Sequence, residues 1–167
     1  TNLPTNSYIS FNTAEIYTTF YIDKPSECKW DHYDLSFEDM QGTMSCANSI
    51  GDSVNLNQRM VYPCTTTLTG LQNYEENNFY VSCKSYPTKP EVERVEMGQS
   101  YEYTLIGTRP LGISEVSPNG TTMVSSASAV KILLEATTIE GANEGEAICQ
   151  YSMSGNDKDF ITFYNTG

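Results

Sequence analysis

The sequence predicts an all-β protein, on three observations. Tyr, present 12 times, and Thr are abundant, and both favour a half-buried pleated surface. Ala, Leu and Lys, which build helices cheaply, are sparse. Several segments alternate apolar and polar residues with period two, the pattern of a strand with one face buried. The 167 residues, 38% hydrophobic, suffice for one substantial domain or two small ones.

The clearest alternation places Ile16, Thr18, Phe20 and Ile22 on one face and Tyr17, Thr19 and Tyr21 on the other. Lys24-Pro25-Ser26 breaks it, and Glu27–Asp31 reads as a short second strand carrying Cys28 and Trp30. Ser36 through Asp39 fits a capping box, enough for one helical turn. Gly51 to Gln58 is polar and turn-rich, so a loop is expected. Cys64 to Leu71 then leads through a turn into Phe79–Cys83, where Phe79, Val81 and Cys83 share a face. Tyr86 to Glu96 reads as a solvated excursion, and Tyr101, Tyr103 and Leu105 as a closing strand.

Gly107-Thr108-Arg109-Pro110 punctuates the chain like a linker. Beyond it, Val130, Ile132 and Leu134 alternate with Lys131, Leu133 and Glu135, and Ala147–Tyr151 and Phe160–Phe163 read as strands. The two halves match in order: Ile16–Ile22 with Val130–Ala136, the Cys28 segment with the Cys149 segment, and Phe37 with Phe160 or Phe163. The expected division is residues 1–107 as a complete sandwich and 108–167 as an incomplete second unit. Only 57 residues follow Pro110, against the roughly 100 of a sandwich domain. The opening Thr1-Asn2-Leu3-Pro4 has no initiator Met and no apolar leader, so a processed form or a piece of a longer protein is expected.

Leu68-Thr69-Gly70-Leu71 followed by the aromatic–Val–Cys strand resembles the E-to-F region of fibronectin type III modules, although Cys83 stands where an aliphatic residue is usual. The Cys28 to Cys83 separation is closer to that of immunoglobulin-like domains. The combination is similar to the Ig-like repeats of large cell-surface proteins, archaeal ones among them. The resemblance implies a β-sandwich plus a partial second sandwich, outside the cell. It also implies a structural or filament role, with like copies or neighbouring modules of the same protein as partners.

Five cysteines are present: Cys28, Cys46, Cys64, Cys83 and Cys149. No C-x-x-C pair occurs and His32 is the only histidine, which argues against zinc. The four cysteines of the first unit allow three disulfide connectivities. The resemblance favours the nested one, Cys28–Cys83 with Cys46–Cys64, because the Cys28 and Cys83 strands pair in that fold. Loop entropy puts upper limits of about 4 and about 3 kcal/mol on the two bonds. Disulfides would place the chain in an oxidising compartment. Three readings stand for Cys149: a partner beyond Gly167 in a longer parent protein, which leads; strands supplied by a neighbouring subunit; or an inert thiol.

Nine basic and 21 acidic residues give a net charge of −12, which repels nucleic acid. No apolar run approaches the roughly 20 residues of a membrane helix. Catalysis has little to draw on: a triad would need His32, and no carboxylate pair stands out. No cofactor is expected. For calcium, Asn156, Asp157 and Asp159 are the candidates, with the stretch Glu75 to Asn78 behind them, but neither has EF-hand spacing and Asx-rich turns explain both. Asn119-Gly120-Thr121 is a glycosylation sequon, or equally a turn entering a strand. The Tyr-rich strands offer rings for sugar stacking, but Tyr at alternate strand positions is more often sheet packing. The alternative function is a ligand-binding adhesion or carbohydrate-binding module of a larger surface protein.

Overall fold

A computed structural model describes residues 3–126, 128–142, 146–156 and 159–162. Nine strands form the first unit: β1 (Ser7–Ile9), β2 (Glu15–Ile22), β3 (Ser26–Asp31), β4 (Gly42–Thr43), β5 (Ser45–Cys46), β6 (Val54–Leu56), β7 (Arg59–Thr69), β8 (Glu76–Ser85) and β9 (Tyr101–Gly107). They make two sheets, ordered β1-β9-β8-β3-β4 and β2-β7-β5, with β6 also on β7. Neighbouring strands run antiparallel except β1, which lies parallel to β9 with Ser7 opposite Leu105 and Ile9 opposite Gly107.

The alternation determines what lies between the sheets. Phe79, Val81 and Cys83 of β8, Tyr103 and Leu105 of β9, Cys28 and Trp30 of β3, and Cys64 and Leu68 of β7 form one buried cluster, with Phe20 and Ile22 packed against it. Trp30 anchors it. Its ring meets Phe79 edge-on at 5.5 Å, and its indole N–H donates to Thr66 Oγ1 at 3.0 Å. Gly42 must lack a side chain because a Cβ there would run into the indole.

Residues Ser36 to Asp39 form the expected single turn, with Asp39 N and Met40 N bonding the Ser36 carbonyl. The Ser36 hydroxyl donates to the Asp39 carboxylate at 2.6 Å rather than to the backbone. The stretch expected as a loop from Gly51 to Gln58 differs. A 3-10 turn (Ile50–Asp52) leads into β6, which pairs with the start of β7. Asn57 and Gln58 have φ of 50° and 66°, the paired left-handed residues of a tight two-residue hairpin. Three residues of exposed strand are too short to show a period, which is why polarity alone suggested a loop.

After the first unit come two separate hairpins: β10 (Gly112–Ser117) with β11 (Glu135–Ile139), and β12 (Gln150–Tyr151) with β13 (Ile161–Thr162). The strand expected at Val130–Leu134 is not formed. Register explains this: Ser117, the last residue of β10, pairs with Glu135, leaving residues 130–134 beyond the reach of β10. The matching of Ile16–Ile22 to Val130–Ala136 fails with it, because β2 pairs with the long β7 whereas β11 pairs with β10. The expected linker also begins later. Gly107 and Thr108 are buried, and the Thr108 hydroxyl donates to the Ile9 carbonyl at 2.6 Å. Among the described residues none from 109 to 162 is buried, and none lies in a helix able to cross a membrane.

Candidate functional site

The first unit's most concentrated chemistry is sulfur. Cys28 lies directly opposite Cys83 in the β3–β8 register, and Cys46 opposite Cys64 in the β5–β7 register. Facing cysteines on adjacent antiparallel strands bring their Cα atoms to 4.1 and 4.0 Å, and both pairs are disulfides. Each bond therefore lies within one sheet. The two meet across the core, where Cys64 Sγ sits 3.6 Å from Cys28 Sγ. Cys28, Cys64 and Cys83 are buried, while Cys46, on the edge strand β5, is partly exposed. The sulfurs of Cys28, Cys46 and Cys64 lie within 4.8 Å of one another, close enough to suggest a metal centre. As disulfides they offer no thiolate to hold one.

Charged groups fix the excursion after β8. The Lys84 ammonium pairs with Glu38 at 3.2 Å and with Glu91, while Arg94 reaches Glu27 at 2.8 Å and Glu91 at 3.5 Å. Hydrogen bonds to Glu91 and Glu38 hold the Lys84 pKa above its ordinary value. The bond to Lys84 holds the Glu91 carboxyl below its own. The stretch read as a solvated excursion is thus strapped back onto the sheet, helped by Val95 and Met97 carbonyl and amide bonds to Ser85 and Cys83.

His32 serves packing. Nε2 lies 3.0 Å from the Thr69 carbonyl, which can only accept, so the ring donates from that nitrogen. The His32 ring meets that of Trp30 edge-to-face at 5.7 Å and lies tilted beside that of Phe79 at 4.8 Å. In the stretch Glu75 to Asn78, considered for calcium, the two asparagine side chains are committed elsewhere. The Asn77 side-chain oxygen accepts from Gln72 N at 2.6 Å, and its amide donates to the Gln72, Glu75 and Leu105 carbonyls. Asn78 Oδ1 accepts from the Thr104 hydroxyl at 2.8 Å. Of the other calcium candidates, the Asn156 carbonyl accepts from Asp159 N, Asp159 Oδ2 accepts from the Ser154 hydroxyl, and Asp157 lies outside the described residues. These are the bonds of a local polar turn.

Asn119 is exposed just past β10, and the Thr121 hydroxyl donates to its carbonyl at 3.4 Å. Cys149 is a free, half-exposed thiol. The outward face of β2 carries Tyr17 and Tyr21, 64% and 43% exposed, with Thr19 between them. Their partners on β7 are Thr67, Thr65 and Pro63, so the middle of this face holds no charge. On the neighbouring sheet, burial raises the Tyr103 pKa while its bond with Thr18 opposes the rise. A hydrogen bond from Tyr80 to Glu102, at 3.1 Å, raises that of Tyr80.

The sulfur contact, the Asn77 knot and the ionic strap all depend on which strands oppose one another, and no local pattern announces them. The one sequence signal for the strap was the density of Lys, Arg and Glu between Lys84 and Glu96. Comparison with protein-family models, with curated proteins and with solved structures finds no match for this chain.

Proposed function

We propose that the chain is a non-enzymatic extracellular module of a cell-surface or filament protein, built from an Ig/fibronectin type III-like sandwich and a second unit completed by strands from outside the described residues. One observation carries this: the first unit buries a continuous core, whereas residues 109–162 bury nothing among those described. The β10–β11 hairpin leaves Ile113 62% exposed and Val116 and Ile139 nearly half exposed. A two-stranded hairpin is marginal in water, and clustered exposed apolar residues mark surfaces meant to be covered. Strand addition covers them and satisfies open sheet edges at the same time. The donors are like copies or neighbouring modules of the same protein.

The Ig/fibronectin reading is supported by the strand order β1-β9-β8-β3-β4 over β2-β7-β5, with the first strand crossing to run beside the last. The two disulfides are compatible with an extracellular location. Light scattering after size exclusion, paired with amide exchange, tests the assembly. Oligomers in which β10 and β11 become protected are expected. Isolated monomers with a protected second unit would overturn the reading.

The outward Tyr17–Thr19–Tyr21 face favours a second reading, a carbohydrate-binding or adhesion module. An uncharged aromatic and hydroxyl surface on a chain of net charge −12 suits the apolar faces and hydroxyls of neutral sugars. A glycan array, with Tyr17→Ala/Tyr21→Ala as control, separates the two readings.

A further inference from the structure

We propose that the four sulfurs of Cys28, Cys83, Cys46 and Cys64 form a thiol–disulfide exchange site, entered through Cys46, that moves a covalent link from within the sheets to between them. The inference does not depend on the assembly proposed above, since all four residues lie in the first unit.

The geometry orders the steps. Three of the four cysteines are buried and Cys46, on the edge strand β5, is partly exposed, so an external thiolate approaches from the Cys46 side. Attack there forms a mixed disulfide between the external thiol and Cys46, and breaks the Cys46–Cys64 bond. The electron pair leaves on Cys64 Sγ. That thiolate arises in an apolar interior, where its charge is poorly solvated and its nucleophilicity correspondingly high. It is already in contact with the second disulfide, 3.6 Å from Cys28 Sγ. Attack on Cys28 forms a Cys28–Cys64 bond, breaks Cys28–Cys83, and leaves Cys83 as a thiolate that takes a proton from water. When the external reagent is a dithiol, its second sulfur resolves the mixed disulfide. Cys46 is then released as a thiol and the dithiol is oxidised.

The product differs from the starting state in what it joins. Cys28–Cys83 and Cys46–Cys64 each reinforce strands already paired by hydrogen bonds, β3 with β8 and β5 with β7. Cys28–Cys64 connects β3 in one sheet to β7 in the other, and opposes their separation. The class of co-reactant is a small or protein-borne dithiol.

The test uses the full chain carrying Cys149→Ser, so that every thiol detected was released from a disulfide. A dithiol is titrated in, free thiols are trapped by alkylation after acid quench, and cross-linked peptides are mapped. The expected first product carries label on Cys46 and Cys83, with a Cys28–Cys64 cross-link and Cys64 unlabelled. Label on Cys46 and Cys64 with Cys28–Cys83 intact would overturn the proposal. A Cys46→Ser variant in the same background tests the second step without reductant. Incubated at mildly alkaline pH, it should distribute label between Cys64 and Cys83, and label confined to Cys64 would also overturn it. Should that variant not fold, the titration decides alone.

Discussion

The indole N–H of Trp30 and the hydroxyl of Thr66 join the two sheets through a 3.0 Å hydrogen bond inside the core. The same hydroxyl donates to the Thr43 carbonyl at 3.1 Å, so Thr66 ties three strands together. Thr66→Val keeps the shape and removes both bonds, leaving a buried indole N–H without a partner. A loss of about 1–3 kcal/mol in chemical denaturation is expected.

Gly42 tests the same corner from the other side. Any Cβ at this position meets the Trp30 ring, which is held by Phe79 and Thr66 and has nowhere to turn. Gly42→Ala should cost about 1–3 kcal/mol, by overpacking rather than by loss of a bond. A change in the near-ultraviolet tryptophan signal should accompany it.

Asn77, at the start of β8, makes four side-chain hydrogen bonds, three to the preceding turn and one to Leu105 of β9. Asn77→Ala removes the partner of the Gln72 amide and a donor to each of the Gln72, Glu75 and Leu105 carbonyls, at a position that is itself buried. Destabilisation of about 2–4 kcal/mol is expected by thermal or chemical unfolding, because more than one group loses its partner. Asn77→Asp should cost at least as much: it can still accept from Gln72 N, but its second oxygen would face the Gln72, Glu75 and Leu105 carbonyls with no hydrogen to donate.

The strap over the excursion gives a pH dependence with two limbs. Glu91 has a lowered pKa, so its contribution is present above the ordinary carboxylate value of about 4.3 and is lost as pH falls through the lower folded value. Lys84 has a raised pKa, so its contribution is complete below about 10.4 and is lost as pH rises through the higher folded value. Amide protection and protease resistance of residues 86–96 should therefore be greatest between these limits. Lys84→Met should remove most of the difference between neutral and acid pH, leaving what Arg94 maintains through Glu27 and Glu91.

Much of the first unit was legible in its residues. Period two placed Phe79, Val81 and Cys83 on one face, and the structure buries all three. The disulfides of the structure join the pairs that the resemblance implied, Cys28 with Cys83 and Cys46 with Cys64. What escaped the sequence was long-range. The parallel pairing of β1 with β9 joins residues almost 100 positions apart, and no local pattern encodes it. Val130–Leu134 shows the opposite failure: the alternation is present, but a strand forms only where another backbone lies beside it. Among candidate site residues, Asn119 and Cys149 stand exposed or half-exposed, whereas both polar side-chain atoms of Asn77 and Nε2 of His32 are taken up in bonding. Residue type alone cannot tell an available oxygen from an occupied one.

The parallel course of β1 and β9, closed by the Thr108 hydroxyl on the Ile9 carbonyl, sets how this unit bears tension. A pull applied ahead of Ser7 and after Thr108 drags the two strands past each other lengthwise. Their bonds are then loaded together in shear, not unzipped one at a time.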